Sequence, residues 1–560
     1  MKKVFTLLLC LTLVASFSIN AAAETEVLKG TGEGFGGPVT VEVTVEDDEI
    51  VSVKASGEGE TEGIGTDALE ETAERITEAK STDVDLISGA TYTSEAVIYA
   101  VNNALNPDEY PDPESTEEET TTESVEAAEL YQGMGLAYNG RIGPGSDNTD
   151  TPVYSFNEVY ANVLFDEDGK IAAIHVDQLE VATPNYDGEA MPHFSGFPGQ
   201  GGYNMDENHN KEVDYQTIDT DEFFMSEFET WKTKRERGDN YVMSNLGNWA
   251  DQMDHFEDFF VGMTVDEIED WFENYTADNG RPLTPDAGNE EDQEKYENLS
   301  EDEQDMLADV TTGATMSLSD AHGYIIDAIK DAYEKKQPVN EASTVESLGF
   351  GLTSNGRVGP GSDDTDTQVY SYNNVYVNTL FDDEGKIVSL HVDQLEVATP
   401  NYDGKAMPHL SGFPGQGGYN FDVDHDKKVE GKTIDTEENF LAEVNKWQTK
   451  RERGDNYVMS NLGNWADQMD HFEDFFVGMT VDEIEDWFEN YTADNGRPLT
   501  PDAGNEEDQE KYENLSEDEQ DMLADVTTGA TMSLSDAHGY IIEAIVESYE
   551  NRIDLNLSVE

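Results

Sequence analysis

The sequence predicts an α+β protein of three units, one small and two large, joined by linkers. Three observations carry this. Short runs alternate apolar and polar residues, as half-buried strands do, and stretches with the period of amphipathic helices follow them. Residues from about 128 to 336 recur from about 345 to 560 at an offset of 216, with no difference between Thr233–Ile326 and Thr449–Ile542. One phrase occurs once in each unit: Asp85-Leu-Ile-Ser-Gly-Ala-Thr91, Asp309-Val-Thr-Thr-Gly-Ala-Thr315 and Asp525-Val-Thr-Thr-Gly-Ala-Thr531.

Residues 1–23 read as a secretory signal peptide. Lys2 and Lys3 form its positive start, Val4 to Phe17 its apolar stretch, and Ala21-Ala22-Ala23 its cleavage site. The apolar run is too short for a membrane span. The expected location is outside the cell, secreted or at the cell surface. Cys10 offers a lipid anchor as the alternative, but Leu9 stands where lipidation wants a small residue. Cys10 is the only cysteine. The cleaved chain therefore has no disulfide, thiolate zinc site, iron–sulfur cluster or attached c-type haem. Redox chemistry would need another cofactor.

The chain has 123 Asp and Glu against 31 Lys and Arg, a formal net charge of −92. The acids are spread along its whole length. Such a surface stays soluble at high salt and repels itself at low salt. Nucleic acid and anionic membranes are not the expected partners, since the bases are too few and dispersed for a phosphate-binding face. Aromatic residues make up 10%, which with the alternating apolar runs argues for folding over disorder.

The first unit spans 24–105. After Gly30-Thr-Gly-Glu-Gly-Phe-Gly-Gly-Pro38, Val39, Val41, Val43 and Val45 alternate with polar residues as one strand. Asp47-Asp48 turn the chain into a return strand with Ile50, Val51 and Val53. Helices are predicted over Ala68–Ile76 and Ser94–Leu105, the latter with Val97, Ile98, Val101, Ala104 and Leu105 on one face. Residues 106–127, rich in Pro, Glu and Thr and without a base, read as an extended linker. The large units run over 128–336 and 345–560, separated by a linker at 337–344. In each, strands are joined through a turn such as Asp168-Gly169. A Gly-rich aromatic stretch follows, Gly196–Tyr203 or its copy at Gly412-Phe413, as a cover or an edge loop. Helices come next, with capping boxes at Thr264–Glu267 and Ser300–Glu303. The last helix is expected to place Leu318, Ala321, Ile325, Ala328 and Ile329 on one face.

The repeated phrase is expected to lead directly into a helix. Gly and Ala would let a bulky group approach the backbone, Thr would supply a hydroxyl, and the helix start would favour a phosphate. Asp, six residues earlier, would orient a neighbour or be read by a modifying enzyme. The bland alternative is a turn whose Thr bonds the backbone. Recurrence in otherwise dissimilar units favours the chemical reading.

The phrase resembles the flavinylation motif of the FMN-binding domain family. Relatives include subunits of the sodium-pumping NADH:quinone reductase and the Rnf complex, and Gram-positive extracellular flavoproteins. The resemblance implies FMN joined through its phosphate to Thr91, Thr315 and Thr531 by a flavin transferase that uses FAD and Mg²⁺. It implies that Asp85, Asp309 and Asp525 are read by that transferase. Ser88, Gly89 and Ala90, with Thr312, Gly313, Ala314, Thr528, Gly529 and Ala530, complete the three motifs. Glu60-Thr61-Glu62-Gly63-Ile64-Gly65 resembles a further family segment, with Glu62 where Pro is usual. It implies that Glu60, Thr61, Gly63 and Gly65 line the first flavin. The large units lack that segment, but their Met316–Gly323 continuation resembles extracellular flavin lipoproteins with two such domains.

The function expected is an exported electron carrier with up to three covalent FMN groups, between a membrane donor and an extracellular acceptor. The alternatives are a flavin-bearing module serving a separate reductase, and a non-redox adhesin or solute-binding repeat. The negative surface would lower the flavin potential by disfavouring the anionic reduced form, an effect salt screens. Other features read as structural. Asp206–Asn210 and Asp422–Asp426 begin like calcium loops, but Lys211 and Lys427 stand where Gly is wanted. His322 and His538 read first as packing or capping residues, with a proton relay as the alternative. Trp231, Trp249, Trp271, Phe256, Phe259 and Phe260 read first as core, with flavin stacking as the alternative. No hydrolase elbow or zinc-binding His pair appears.

Overall fold

The structure, a computed structural model, describes residues 25–106, 110 and 130–555, except 35–36, 47–48, 58–64, 83, 85, 88–90, 148, 186–190, 200–203, 206–209, 218–219, 245, 287–288, 320–322, 340–344, 364, 403–406, 417–419, 422–430, 433–435, 503–504 and 536–537. The leader, nearly all of the acidic linker and most of both calcium-like stretches lie outside the described residues. The chain forms two compact bodies, 1–123 and 124–560.

In the first body, β1 (Thr25–Gly34), β2 (Gly37–Glu46) and β3 (Glu49–Ser56) form an antiparallel meander. Val39, Val41, Val43 and Val45 are buried, as their alternation predicts, and Val51 points outward between Ile50 and Val53. Helix α1 (Gly65–Ala79) packs on β3, and α2 (Thr91–Leu105) on β1 and β2. Val97, Val101 and Ala104 are buried on α2, whereas Leu105 at its end is exposed. The approach of α2 to β1 is backbone to backbone. A Cβ on Gly30 would overlap the Ala100 carbonyl, and one on Gly32 the Ala96 carbonyl.

The second body contains both large units. Strands β4 (Tyr131–Ser146), β5 (Pro152–Phe165) and β6 (Ile171–Ala182) form one meander, and β7 (Ser347–Ser362), β8 (Gln368–Phe381) and β9 (Ile387–Ala398) the other. The stretch expected to be a linker begins inside the first sheet: Gln337–Pro338 pairs with β4. Equivalent helices follow the two meanders. They are α3 (Asp221–Phe228), α4 (Lys234–Arg237), α5 (Trp249–Phe260), α6 (Val265–Tyr275), α7 (Glu290–Glu297), α8 (Glu301–Gly313) and α9 (Ile325–Lys335). Their counterparts are α10 (Glu437–Val444), α11 (Lys450–Arg453), α12 (Trp465–Phe476), α13 (Val481–Tyr491), α14 (Glu506–Glu513), α15 (Glu517–Gly529) and α16 (Ile541–Glu550). The capping boxes at Thr264 and Ser300 both form. The glycine device of the first body returns. Gly133 and Gly135 admit the Ala332 and Ala328 carbonyls of α9, and Gly349 and Gly351 those of Ser548 and Ala544 on α16.

The large units share a core. Phe156, Phe194, Phe224 and Trp231 from one pack with Tyr372, Phe413, Phe440 and Trp447 from the other. The glycine-rich stretches thus send Phe197 and Phe413 into this joint. Helix α3 lies on β7 while α10 lies on β4, a reciprocal contact of the isologous kind. Glu158, fully buried, accepts hydrogen bonds from Asn374 (2.6 Å) and from the Tyr376 hydroxyl. Burial raises its pKa to about 7, which these bonds only partly oppose. Each unit's remaining helices close a separate core on the back of its sheet.

Candidate functional site

In the first body the phrase leads into a helix as expected, since α2 begins at Thr91. Asp85, Ser88, Gly89 and Ala90 lie outside the described residues, as do Glu60, Thr61 and Gly63. Gly65 is buried as the first residue of α1. Ile87 N–H donates to the buried Ser94 hydroxyl (3.2 Å), and Arg75 donates to the Leu86 carbonyl (3.4 Å). An arginine thus reaches the phrase from α1.

In the large units the expectation fails. Asp309, Thr312 and Gly313 form the last turn of α8, which the capping box at Ser300 starts and Gly313 ends. Thr315 follows that end, and the next helix begins only at Ile325. Relative to the glycine-packed helix, Thr91 stands five residues before Ala96, whereas Thr315 stands thirteen before Ala328. Residues 316–323 supply the extra length. Leu318, expected on the last helix, is buried in this connection instead, while Ala321 and His322 lie outside the described residues.

The connection is held from other elements. Gln252 Oε1, on α5, accepts from Thr315 N–H (3.0 Å) and Met316 N–H (3.1 Å), and Gln468 accepts from Thr531 N–H (3.0 Å). Arg281 donates to the Thr315 carbonyl and Arg497 to the Thr531 carbonyl, both at 3.2 Å. Met316 and Leu318 anchor the loop in the core. Gly313 is required because the His255 imidazole occupies the space of a Cβ. Asp309 and Thr312 are exposed, with the Thr312 hydroxyl bonded to the Asp309 carbonyl (2.6 Å). Thr315 and Thr531 are half-buried. Among the described residues, no group bonds their hydroxyls. The threonine of a merely capped turn would use its hydroxyl on the backbone.

A group that the sequence reading did not assemble lies close by. Helices α4 and α11 have the sequence Lys-Arg-Glu-Arg, and their lysines are fully buried. Lys450 pairs with Glu396 (3.3 Å), and its Nζ lies 3.2 Å from His538 Nδ1. Arg453 is 2% exposed, with its guanidinium 3.9 Å from the Tyr457 ring centre. Its Nε and Nη1, and the Nε1 of Trp465, are buried without a hydrogen-bond partner. Arg357 adds charge beside Glu396 (3.6 Å). Burial pushes Lys450 down to about 8 against the pull of Glu396. Burial, then Lys450, Arg357 and Arg497, hold His538 well below the usual imidazole range, so it is neutral. Trp465 stands one turn before Gln468 on α12, which joins this group to Thr531. At the equivalent positions of the second unit Lys234 lies on Glu180 (3.2 Å) and Arg237 over Tyr241 (3.9 Å). Three bases within four residues, in a chain so poor in bases, were the available signal.

Trp231 belongs to the joint between the units, and Trp271, Phe256 and Phe260 to the helical core, with Phe259 packed against it. Among the described residues no group of three or more His, Cys, Asp or Glu is placed to hold a metal.

Residues 34–106 match the FMN-binding domain family, which supports FMN as a cofactor. The chain is 36% identical over 222 residues to a chlorophenol reductase of Desulfitobacterium hafniense, covering 38% of this chain and 60% of that protein. A match of that length extends beyond the first body. Over 75 residues it is 35% identical to an NADH:acrylate oxidoreductase of Vibrio harveyi, 13% of this chain and 8% of the relative. Over 77 residues it is 35% identical to a urocanate reductase of Eggerthella lenta, 14% and 13% respectively. The chain thus spans at most 60% of the length of these relatives.

Proposed function

We propose that this protein is an exported electron carrier with FMN attached through phosphoester bonds to Thr91, Thr315 and Thr531. It takes electrons from a membrane donor and passes them to an extracellular acceptor. One observation carries the reading beyond the matched domain: Thr315 and Thr531 keep half-buried hydroxyls that no described protein group uses, with Arg281 and Arg497 beside them. Attachment from FAD forms a threonine O–P bond, breaks the pyrophosphate P–O bond and releases AMP and a proton. A flavin transferase with Mg²⁺ would be the partner, reading Asp309 and Asp525 on the exposed face of the last helical turn. A tethered cofactor suits an exported protein, because free FMN would diffuse away, and the protein then sets orientation and electrostatics. The second reading, a flavin-bearing module for a separate reductase, draws on the reductase names of the relatives.

Co-expression with a flavin transferase, followed by intact mass and visible absorption, tests this. The expected result is three covalent FMN groups, lost one at a time in Thr91→Ala, Thr315→Ala and Thr531→Ala. A colourless protein at the unmodified mass overturns the proposal and favours an adhesin.

A further inference from the structure

We infer that the buried basic group around Lys450 and Arg453 receives the polar edge of the flavin ring attached to Thr531. This rests on the attachment proposed above and adds where the ring lies and what it meets. Four observations converge. Arg453 is a buried cation whose Nε and Nη1 have no acceptor, and an unsatisfied buried donor of this kind is costly. Trp465 offers a third unused N–H in the same neighbourhood. Among the described residues only one carboxylate, Glu396, is paired with Lys450 and Arg357 there, so positive charge is in excess. Tyr457 lies against both Lys450 (5.4 Å) and Arg453 (3.9 Å) and is half-exposed, so its ring runs from the group to the surface.

The complement of this group is planar, accepts hydrogen bonds along one edge and gains negative charge in use. The pyrimidine edge of an isoalloxazine has carbonyl oxygens and ring nitrogens of that kind. Gln468, which holds Thr531 N–H, and Trp465 share one face of α12 a single turn apart, so attachment point and receptor are fixed by one helix. His538 adds no charge, because it is neutral beside Lys450. The basic group favours the reduced flavin, and it opposes the acidic surface, whose effect salt screens. The ring takes up two electrons with its protons, and the protein supplies donors but no electrons.

The test uses the full chain carrying Thr91→Ala and Thr315→Ala, co-expressed with the transferase so that only Thr531 is loaded. Peptide mass reads attachment, and a spectroscopic redox titration reads the potential. Arg453→Gln is expected to retain FMN on Thr531 but to lose about tenfold in the reduced-to-oxidised ratio at a fixed potential, about 30 mV for a two-electron couple. Trp465→Phe keeps the packing, removes one donor and is expected to shift the potential the same way by less. Unchanged potentials and spectra in both variants, with FMN attached, overturn this inference and leave the attachment standing. Absence of FMN from Thr531 in the parent overturns both. The melting temperature of unloaded Arg453→Gln is expected to be no lower than the parent's, because the substitution removes a buried cation whose Nε and Nη1 have no acceptor.

Discussion

The first body and the large units share a frame and use it differently. Each has a three-stranded meander whose first strand carries Gly-x-Gly, and a last helix packed against those glycines through small residues. In the first body the phrase Asp-x-x-Ser/Thr-Gly-Ala-Thr leads straight into that helix. In the large units it follows the end of another helix. A helix start presents free N–H groups and the positive end of a dipole, whereas a helix end presents carbonyls. A phosphate on Thr91 would therefore be favoured by the backbone itself. One on Thr315 or Thr531 would need side-chain cations, and Arg281 and Arg497 stand there. The same motif thus does not imply the same electrostatics.

Four changes would break or sharpen this comparison. The largest effect is expected where the frame is common to both. Gly32→Val, Gly135→Val and Gly351→Val each drive a side chain into a helix carbonyl that cannot move alone. Each should cost at least about 3 kcal/mol and lower the melting temperature of its own body. Equal tolerance of Val at all three sites would dissolve the shared frame.

The next effect belongs to the large units alone. Glu158 is raised to about 7 by burial. Its folded form therefore holds a proton more tightly than the unfolded chain. The stability this contributes is fully present below about pH 4.5 and is lost as the pH rises through about 7. The loss is about 3 kcal/mol. Glu158→Gln should flatten that part of the pH profile in chemical denaturation. A profile as steep as the parent's would show that other buried acids govern it. Its counterpart at the same offset is Asn374, so the joint already carries a neutral residue on one side.

Smaller effects probe the phrase. Gln252→Ala leaves two N–H groups of the 315–316 backbone without their acceptor and should cost about 2 kcal/mol. Denaturation of the second body would measure it, and the first body should be unaffected. Arg281→Gln and Arg497→Gln should leave the fold intact and slow FMN loading at Thr315 and Thr531 several-fold, while Thr91 loads as before. Peptide mass after timed exposure to the transferase reads this. Equal slowing at Thr91 would count against a local role for the arginines.

Much of this was legible in the sequence because it depends on local pattern. The Val39–Val45 alternation gave β2, and Ser300 with Glu303 gave the start of α8. The end of α8 was harder to see. The run from Glu301 to Gly313 is helical in pattern, and nothing in Gly-Ala-Thr alone says whether a helix begins or ends there. Its environment decides, since His255 from another helix fills the space beside Gly313. The helical place assigned to Leu318 failed for the same reason: Leu318 is apolar because it is buried in the connection. The joint between the large units was invisible, since the Phe and Trp residues that form it look like any core. Lys450 and Arg453 were overlooked because bases usually mark a surface, and these are interior.

That inversion has a consequence for the medium in which the protein works. Lys234, Arg237, Lys450 and Arg453 are all no more than 3% exposed, and the fold encloses these cations together with the carboxylates of Glu180 and Glu396 that pair with Lys234 and Lys450. In about 1 M salt the Debye length contracts to about 3 Å, and the repulsion between surface acids fades. The enclosed charges are much less affected by ions that cannot reach them. Brine would therefore relax the outside of this molecule while leaving the chemistry of its inside almost as it is in dilute buffer.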